Sequence, residues 1–243
     1  MCDTCGCGDS ELVPVEMQER ILSGNERTAR HNREHFEEAG VFAINLMGSP
    51  GSGKTAVLEA TARARSGLRI GAMSGDLATD NDAERLRRAG IPDAVSITTG
   101  SACHLDAEMV HHALHAAPLG DVDVLFIENV GNLVCPAIYD LGQRANVVAL
   151  SVTEGEDKPL KYPVMFRKAD LVLLTKVDLL PHLDFSVEAV MDALARTMPR
   201  PEILRVAART GEGIPEWISW LSGRRAAQPR PAAGHAHPHH HDS

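Results

Sequence analysis

One short string constrains this chain more than anything else in it. Gly48-Ser49-Pro50-Gly51-Ser52-Gly53-Lys54-Thr55 matches GxxxxGK[ST]. It follows the apolar run 41–47 at once and opens a stretch of helical character through about Arg65. A strand that runs into a glycine-rich turn and then a helix gathers backbone N–H groups, at the positive end of the helix, around a phosphate. Gly48, Ser49, Gly51, Ser52 and Gly53 are the expected cradle. Lys54 reaches the terminal phosphates, and the Thr55 hydroxyl supplies a ligand to Mg²⁺. A nucleoside triphosphate is the expected ligand.

The rest of the chain repeats the same alternation. Short apolar strands are expected at 41–47, 69–74, 95–98, 122–127, 147–152, 171–174 and 203–206. Helices are expected at 15–38, 54–65, 80–89, 105–117, 186–198 and 214–221. Continuous apolar strands separated by helices imply a mostly parallel sheet covered on both faces, the α/β architecture of a P-loop NTPase domain. Three parts are expected: a Cys-rich metal-binding arm at 1–14, a nucleotide-binding domain at 15–222 that includes the first helix, and a disordered His-rich tail at 223–243. Of the 243 residues, 44% are hydrophobic, enough for a sizeable core. A net charge of −9 and only 4% aromatics argue against a nucleic-acid partner. No apolar run approaches the roughly 18 residues of a membrane span, and the N-terminus lacks a basic-then-apolar leader. A cytoplasmic protein is expected.

Thr175-Lys176-Val177-Asp178 follows the expected strand 171–174 directly and resembles the [NT]KxD guanine motif. An aspartate there accepts both the N1–H and the N2 amino protons of guanine, which adenine cannot offer, and the lysine stem covers the base. Ala208, in the string 207–211, resembles the loop whose backbone N–H meets the guanine carbonyl. Asp76 and Glu128 each close a strand near the phosphates and are the expected holders of Mg²⁺. Either could instead cap a helix or sit solvated. Glu128-Asn129-Val130-Gly131 has the spacing of a DxxG loop, with Glu in place of Asp, so that Gly131 presents its N–H to the γ-phosphate. Lys54, Thr55, Asp76 and Glu128 form the expected catalytic group.

Thiols and imidazoles cluster as well. There are five cysteines, and Cys2, Cys5 and Cys7 fall in the first seven residues. Three thiolates so close suit Ni²⁺ or Zn²⁺, with an amine or imidazole completing a four-coordinate site; exposed redox-reactive thiols are the alternative. Cys103-His104 and Cys135 both follow expected strands, so they can meet at the carboxyl edge of the sheet, where two chains could complete a site across a symmetric interface. His111, His112 and His115 read as mostly solvated. Five of twelve histidines lie in the last nine residues, a loose Ni²⁺ or Zn²⁺ buffer.

Together these strings resemble the HypB family of nickel-insertion GTPases in hydrogenase maturation. The resemblance rests on CDTCGCG, GSPGSGKT, GDLATDNDAERL, CHLDAEMV, LFIENVGNLVCP, LSVTEGEDKPLKYP and TKVDLLP. It implies a strong nickel site at Cys2, Cys5 and Cys7, and a weaker nickel or zinc site at Cys103, His104 and Cys135 shared in a nucleotide-dependent homodimer. It also implies Mg²⁺ with GTP or GDP at Lys54, Thr55, Asp76 and Glu128, and guanine at Lys176 and Asp178. The implied partners are a HypA-type zinc accessory protein and the precursor of the large subunit of nickel-iron hydrogenase. A slow GTPase follows, since neither a glutamine nor an arginine finger stands after the γ-phosphate loop. A P-loop kinase and a nickel store with a vestigial nucleotide domain are the competing readings.

Overall fold

The computed structural model describes residues 15–76, 80–100, 102–116 and 119–228. The expected arm and the histidines of the tail lie outside them. A seven-stranded sheet forms the centre: β1 (Phe42–Met47), β2 (Ile70–Asp76), β3 (Val95–Thr98), β4 (Val124–Glu128), β5 (Ala145–Ser151), β6 (Leu171–Thr175) and β7 (Ile203–Val206). Its order is β3-β2-β4-β1-β5-β6-β7, and every pairing is parallel. The helices are α1 (Val15–Glu38), α2 (Lys54–Arg63), α3 (Asn81–Ala89), α4 (Ala107–Ala116), α5 (Lys158–Lys161), α6 (Pro163–Lys168), α7 (Val187–Thr197) and α8 (Ile214–Ala226).

Side chains of β1 alternate between the two faces, as strand geometry requires. Phe42, Ile44 and Leu46 pack with Leu58, Phe126 and Trp217, whereas Val41 and Ala43 pack with Phe36, Leu125 and Ile127. Both faces are dry, so these strands read as unbroken apolar runs. The buried Trp217 satisfies its indole by donating to Thr61 Oγ1 at 3.0 Å. Because β1 lies between β4 and β5, the loop leaving it emerges where chain connections diverge to opposite sides. Ligands of open parallel sheets bind at such a crevice.

The departures from expectation have local causes. Helices α5 and α6 replace an unassigned stretch; at four and six residues they are too short to show a 3.6-residue period. Pro159 and Pro163 look like breakers in the sequence, yet each occupies a first turn, where its missing N–H costs nothing. Helix α8 does not stop at 221, nor does irregular chain begin at 223: the helix continues to Ala226. Arg225 Nη2 donates to Asp123 Oδ1 at 2.6 Å, Arg224 to Glu202 at 2.6 Å, and Gln228 Nε2 to Val41 O at 3.2 Å. No helix among the described residues is long and apolar enough to cross a membrane.

Asp123, just before β4, collects the backbone N–H and the guanidinium of Arg69 as well as Arg225. Hydrogen bonds from Arg69 hold its carboxyl below the ordinary aspartate range, with the Arg225 charge adding to this. A carboxyl lowered on folding contributes stability above its unfolded pKa and loses it as pH falls through the folded value. Asp123→Ala should therefore cost about 1–3 kcal/mol near neutral pH, and less in acid, in denaturant titrations. Guanine-nucleotide affinity should be unchanged, because Asp123 stands at the opposite end of β4 from Glu128. Equal loss at pH 3 and pH 7 would contradict this account.

Candidate functional site

The phosphate loop forms as its glycines demand. Gly48 has φ +147°, and a Cβ there would collide with Ala149 O and Ser52 Oγ. Gly53, at φ +94°, caps the start of α2. Lys54 Nζ lies buried and donates to Gly48 O at 3.2 Å and Ser49 O at 3.1 Å. Burial lowers its pKa, opposed by the charges of Glu128, Glu154 and Asp82. The hydroxyls of Ser49 and Ser52 are buried without a hydrogen-bond partner. Two buried hydroxyls without protein partners and a buried cation beside them fit an anion cradle.

Thr55 Oγ1 donates to Glu128 Oε1 at 2.6 Å, and Ser74 Oγ to Glu128 Oε2 at 3.3 Å. Burial raises the Glu128 pKa, opposed first by the Thr55 hydrogen bond and then by the Lys54 charge. Asp76 ends β2 and lines the same cavity of about 400 Å³. Lys54, Thr55, Asp76, Glu128 and Gly131 thus share one cleft. Gly131 packs so closely on the loop that a Cβ would lie 2.8 Å from Pro50 N and Cα. Sequence reasoning missed two members of this wall, Asp82 and Arg85, which pair with each other at 3.0 Å. Both stand in the string GDLATDNDAERL quoted above, which gave neither a role.

A second cavity of about 260 Å³ opens between Gly53, Lys176, Asp178, Ala208 and Arg209. Lys176 adopts a left-handed φ of +59°, which turns the chain after β6 so that Asp178 faces the cavity. Thr175, at a position where asparagine is more frequent in such motifs, donates from Oγ1 to Ser52 O at 2.5 Å. The hydroxyl thereby ties the base loop to the phosphate loop. Arg209 Nε donates to Asp178 Oδ2 at 3.2 Å, a contact the sequence did not suggest.

Cys103, His104 and Cys135 converge within one chain: their ligand atoms all lie within 4.8 Å of one another. Cys103 Sγ is 3.3 Å from Cys135 Sγ and 3.9 Å from His104 Nδ1. His104 is buried and stacked on Tyr139 at 4.0 Å between ring centroids, and burial lowers its pKa. A neutral imidazole beside two thiols is a borderline-soft donor set, suited to Ni²⁺ or Zn²⁺. Cys2, Cys5 and Cys7 lie outside the described residues.

Two asparagines, present in the strings above but given no role there, link the cleft to the thiols. Asn132 N donates to Gly48 O at 3.2 Å, while its Nδ2 donates to Cys103 O at 3.3 Å. Asn129, adjacent to Glu128, accepts from Leu105 N at 3.0 Å and donates to Asn45 Oδ1 at 3.1 Å. Their place in the loop that leaves β4, within the string LFIENVGNLVCP, was the signal available.

The family model for the CobW/HypB/UreG nucleotide-binding domain matches residues 42–205. The hydrogenase maturation factor HypB of Azotobacter vinelandii is 52% identical over 228 residues, spanning 93% of this chain and 74% of that protein. This chain belongs to the HypB family. The crystal structure of HypB from Helicobacter pylori in complex with nickel superposes with a TM-score of 0.81 at 37% identity, covering 87% of this chain and 100% of that one. HypB from Archaeoglobus fulgidus gives 0.77 at 45% identity, covering 84% and 100%. The parallel sheet described above is thus the HypB form of the P-loop NTPase fold, and HypB proteins are GTPases of hydrogenase maturation.

Proposed function

We propose that this HypB-family chain hydrolyses GTP in the cytoplasm and uses the nucleotide state to control nickel held by Cys103, His104 and Cys135. The carrying observation is Asn132, hydrogen-bonded to the phosphate loop by its backbone and to the thiol loop by its side chain. A loop that senses the γ-phosphate at Gly131 must move Asn132, and with it the backbone carrying Cys103.

In hydrolysis, the oxygen of a water bonds to the γ-phosphorus as the bond to the β,γ-bridging oxygen breaks, giving GDP and inorganic phosphate. Lys54, freed from the carbonyls of Gly48 and Ser49, neutralises charge on the terminal phosphates. Gly48, Ser49, Gly51, Ser52 and Gly53 supply the cradle, and the orphaned serine hydroxyls fit it. Lys176, Asp178 and Ala208 hold the guanine. The buried oxygens of Thr55 and Glu128, with Asp76 at the cleft wall, would hold a hard cation such as Mg²⁺, which would offset the charge developing on the phosphates. Asn132, Leu133 and Val134 follow Gly131 with no glutamine or arginine among them, so the intrinsic rate is slow.

Nickel is cargo in this reading, with zinc as a competitor for the same donors. Three ligands in one chain leave a coordination position for a partner. Beside buried Cys135, Val134 and Ile138 are 48% and 43% exposed, an apolar pair suited to burial against a second copy of the chain. Cys2, Cys5 and Cys7 are proposed as the tighter nickel site, a HypA-type protein as the partner, and the hydrogenase large-subunit precursor as the destination.

Linkage sets the test: if GTP changes nickel affinity, nickel changes GTP affinity by the same factor. With Cys2, Cys5 and Cys7 replaced by alanine, nickel affinity measured with GDP and with a non-hydrolysable GTP analogue should differ by about 5- to 150-fold. Asn132→Ala should remove most of that difference and leave nucleotide affinity nearly unchanged. Equal nickel affinity in the two states would overturn the switch.

A further inference from the structure

Outside the thiol site, four histidines gather where α1 crosses α4. His31 and His35 sit one turn apart on α1, with their Nε2 atoms 3.2 Å apart. His111 and His115 repeat the arrangement on α4, again at 3.2 Å between Nε2 atoms. His111 stands between the pairs, its ring centroid 5.1 Å from that of His31 and 6.2 Å from that of His35, so the exposed rings of His31, His35 and His115 must turn to close on one ion. Imidazoles bound to one ion at 2.0–2.1 Å, in square or tetrahedral geometry, bring their nitrogens to roughly 2.9–3.4 Å of each other. Each pair already has that spacing.

The surroundings also fix which nitrogen of His111 is free to bind. Asn32 is fully buried, and its Nδ2 donates to Ala107 O at 2.8 Å and Leu141 O at 3.2 Å, which uses both amide protons. Its Oδ1 is therefore an acceptor, and it lies 3.1 Å from His111 Nδ1. That nitrogen carries the proton, leaving the lone pair on Nε2, directed at His115. A ligating histidine held by its other ring nitrogen is the usual support of a metal site.

We propose that His31, His35, His111 and His115 form a second transition-metal site, made of imidazole alone, for a borderline divalent ion such as Ni²⁺. Four imidazole nitrogens favour nickel, zinc or copper and give Mg²⁺ no hard oxygen donor. The His111 pKa is lowered, first by partial burial and next by the nearby His115 and His31, which keeps its Nε2 lone pair available. His31, His35 and His115 are exposed, so an ion reaches the site from solvent. An ion there would pin α1, which leads from the Cys-rich segment, to α4, which follows His104.

The choice of Ni²⁺ rests on the reading above, and the test separates the two. The full chain is treated with diethyl pyrocarbonate and an alkylating agent, with and without Ni²⁺, and modification of each residue is read by mass spectrometry. Ni²⁺ should protect His31, His35, His111 and His115 but not His112, which faces Glu108 at 3.3 Å. Protection of Cys103 and Cys135 reports the thiol site independently. The double variant His35→Ala, His115→Ala, whose far-ultraviolet dichroism verifies its fold, should bind one Ni²⁺ fewer per chain by equilibrium dialysis. It should also lose protection of His31 and His111. Unchanged stoichiometry, or carbethoxylation of the four histidines unaffected by Ni²⁺ while Cys103 and Cys135 are protected, would overturn this site and leave the thiol reading standing.

Discussion

Asp178→Asn should turn a guanine site into a xanthine site. The carboxylate offers two acceptor oxygens to the base cavity, suited to the N1–H and N2 amino protons of guanine. The amide keeps one acceptor and gains a donor, which meets the amino group of guanine donor to donor but pairs with the C2 carbonyl oxygen of xanthine. In a cavity of about 260 Å³ walled by Ala208, Lys176 and Gly53, water has little room to repair the mismatch. Leaving two groups unpaired costs about 3 kcal/mol, or about 100-fold in GTP affinity. Xanthosine triphosphate should gain in the same variant, as measured by competition against a fluorescent GDP analogue. The present Arg209 contact to Asp178 is solvent-exposed on the arginine side, where an ion pair is worth little, so it yields to the base. An unchanged preference for GTP would refute the assignment of this cavity.

The second large effect belongs to Lys54. Its ammonium is buried and, among the described residues, hydrogen-bonded to the carbonyls of Gly48 and Ser49. Burial without a directly bonded carboxylate keeps the group poorly satisfied until phosphates arrive, a preorganised charge aimed at where negative charge develops. Lys54→Ala should lower the rate of phosphate release from GTP by about 10²–10³-fold. GDP affinity should fall much less, because the cradle of backbone N–H groups is intact. Lys54→Arg should not rescue the rate, since the wider planar guanidinium does not fit the space between the two carbonyls. Phosphate release at the unmodified rate in Lys54→Ala would exclude this lysine from the chemistry, leaving a nucleotide-binding nickel store as the better reading.

The two variants together separate recognition from reaction. Asp178→Asn changes which base binds and should leave turnover of xanthosine triphosphate close to that of GTP in the parent chain. Lys54→Ala keeps the base preference and loses the rate. Hydrolysis measured with both nucleotides on both variants reads all four outcomes directly.

What the sequence by itself determined were features written within a few consecutive residues. The strand–loop–helix at 41–65, the TKVD string after β6 and the succession of seven short apolar strands each carry their meaning locally, through backbone conformation and a period of burial. Glu128 at the end of β4 and Gly131 three residues later belong to the same class. The sequence also offered Cys103, His104 and Cys135 as one site, since both cysteines follow strands, but only the tertiary structure decided which distant groups meet within one chain and how closely. Cys103 and Cys135, 32 residues apart, lie 3.3 Å from each other because β2 separates β3 from β4 in the sheet and the loops leaving β3 and β4 fold over its carboxyl edge. The bonds of Asn132 to Gly48 and Cys103, the extension of α8 through Arg225 to Asp123, and the facing histidines of α1 and α4 arise in the same way. Each is a contact between elements whose separation along the chain carries no periodic signal, so strand order and helix packing alone bring the partners together.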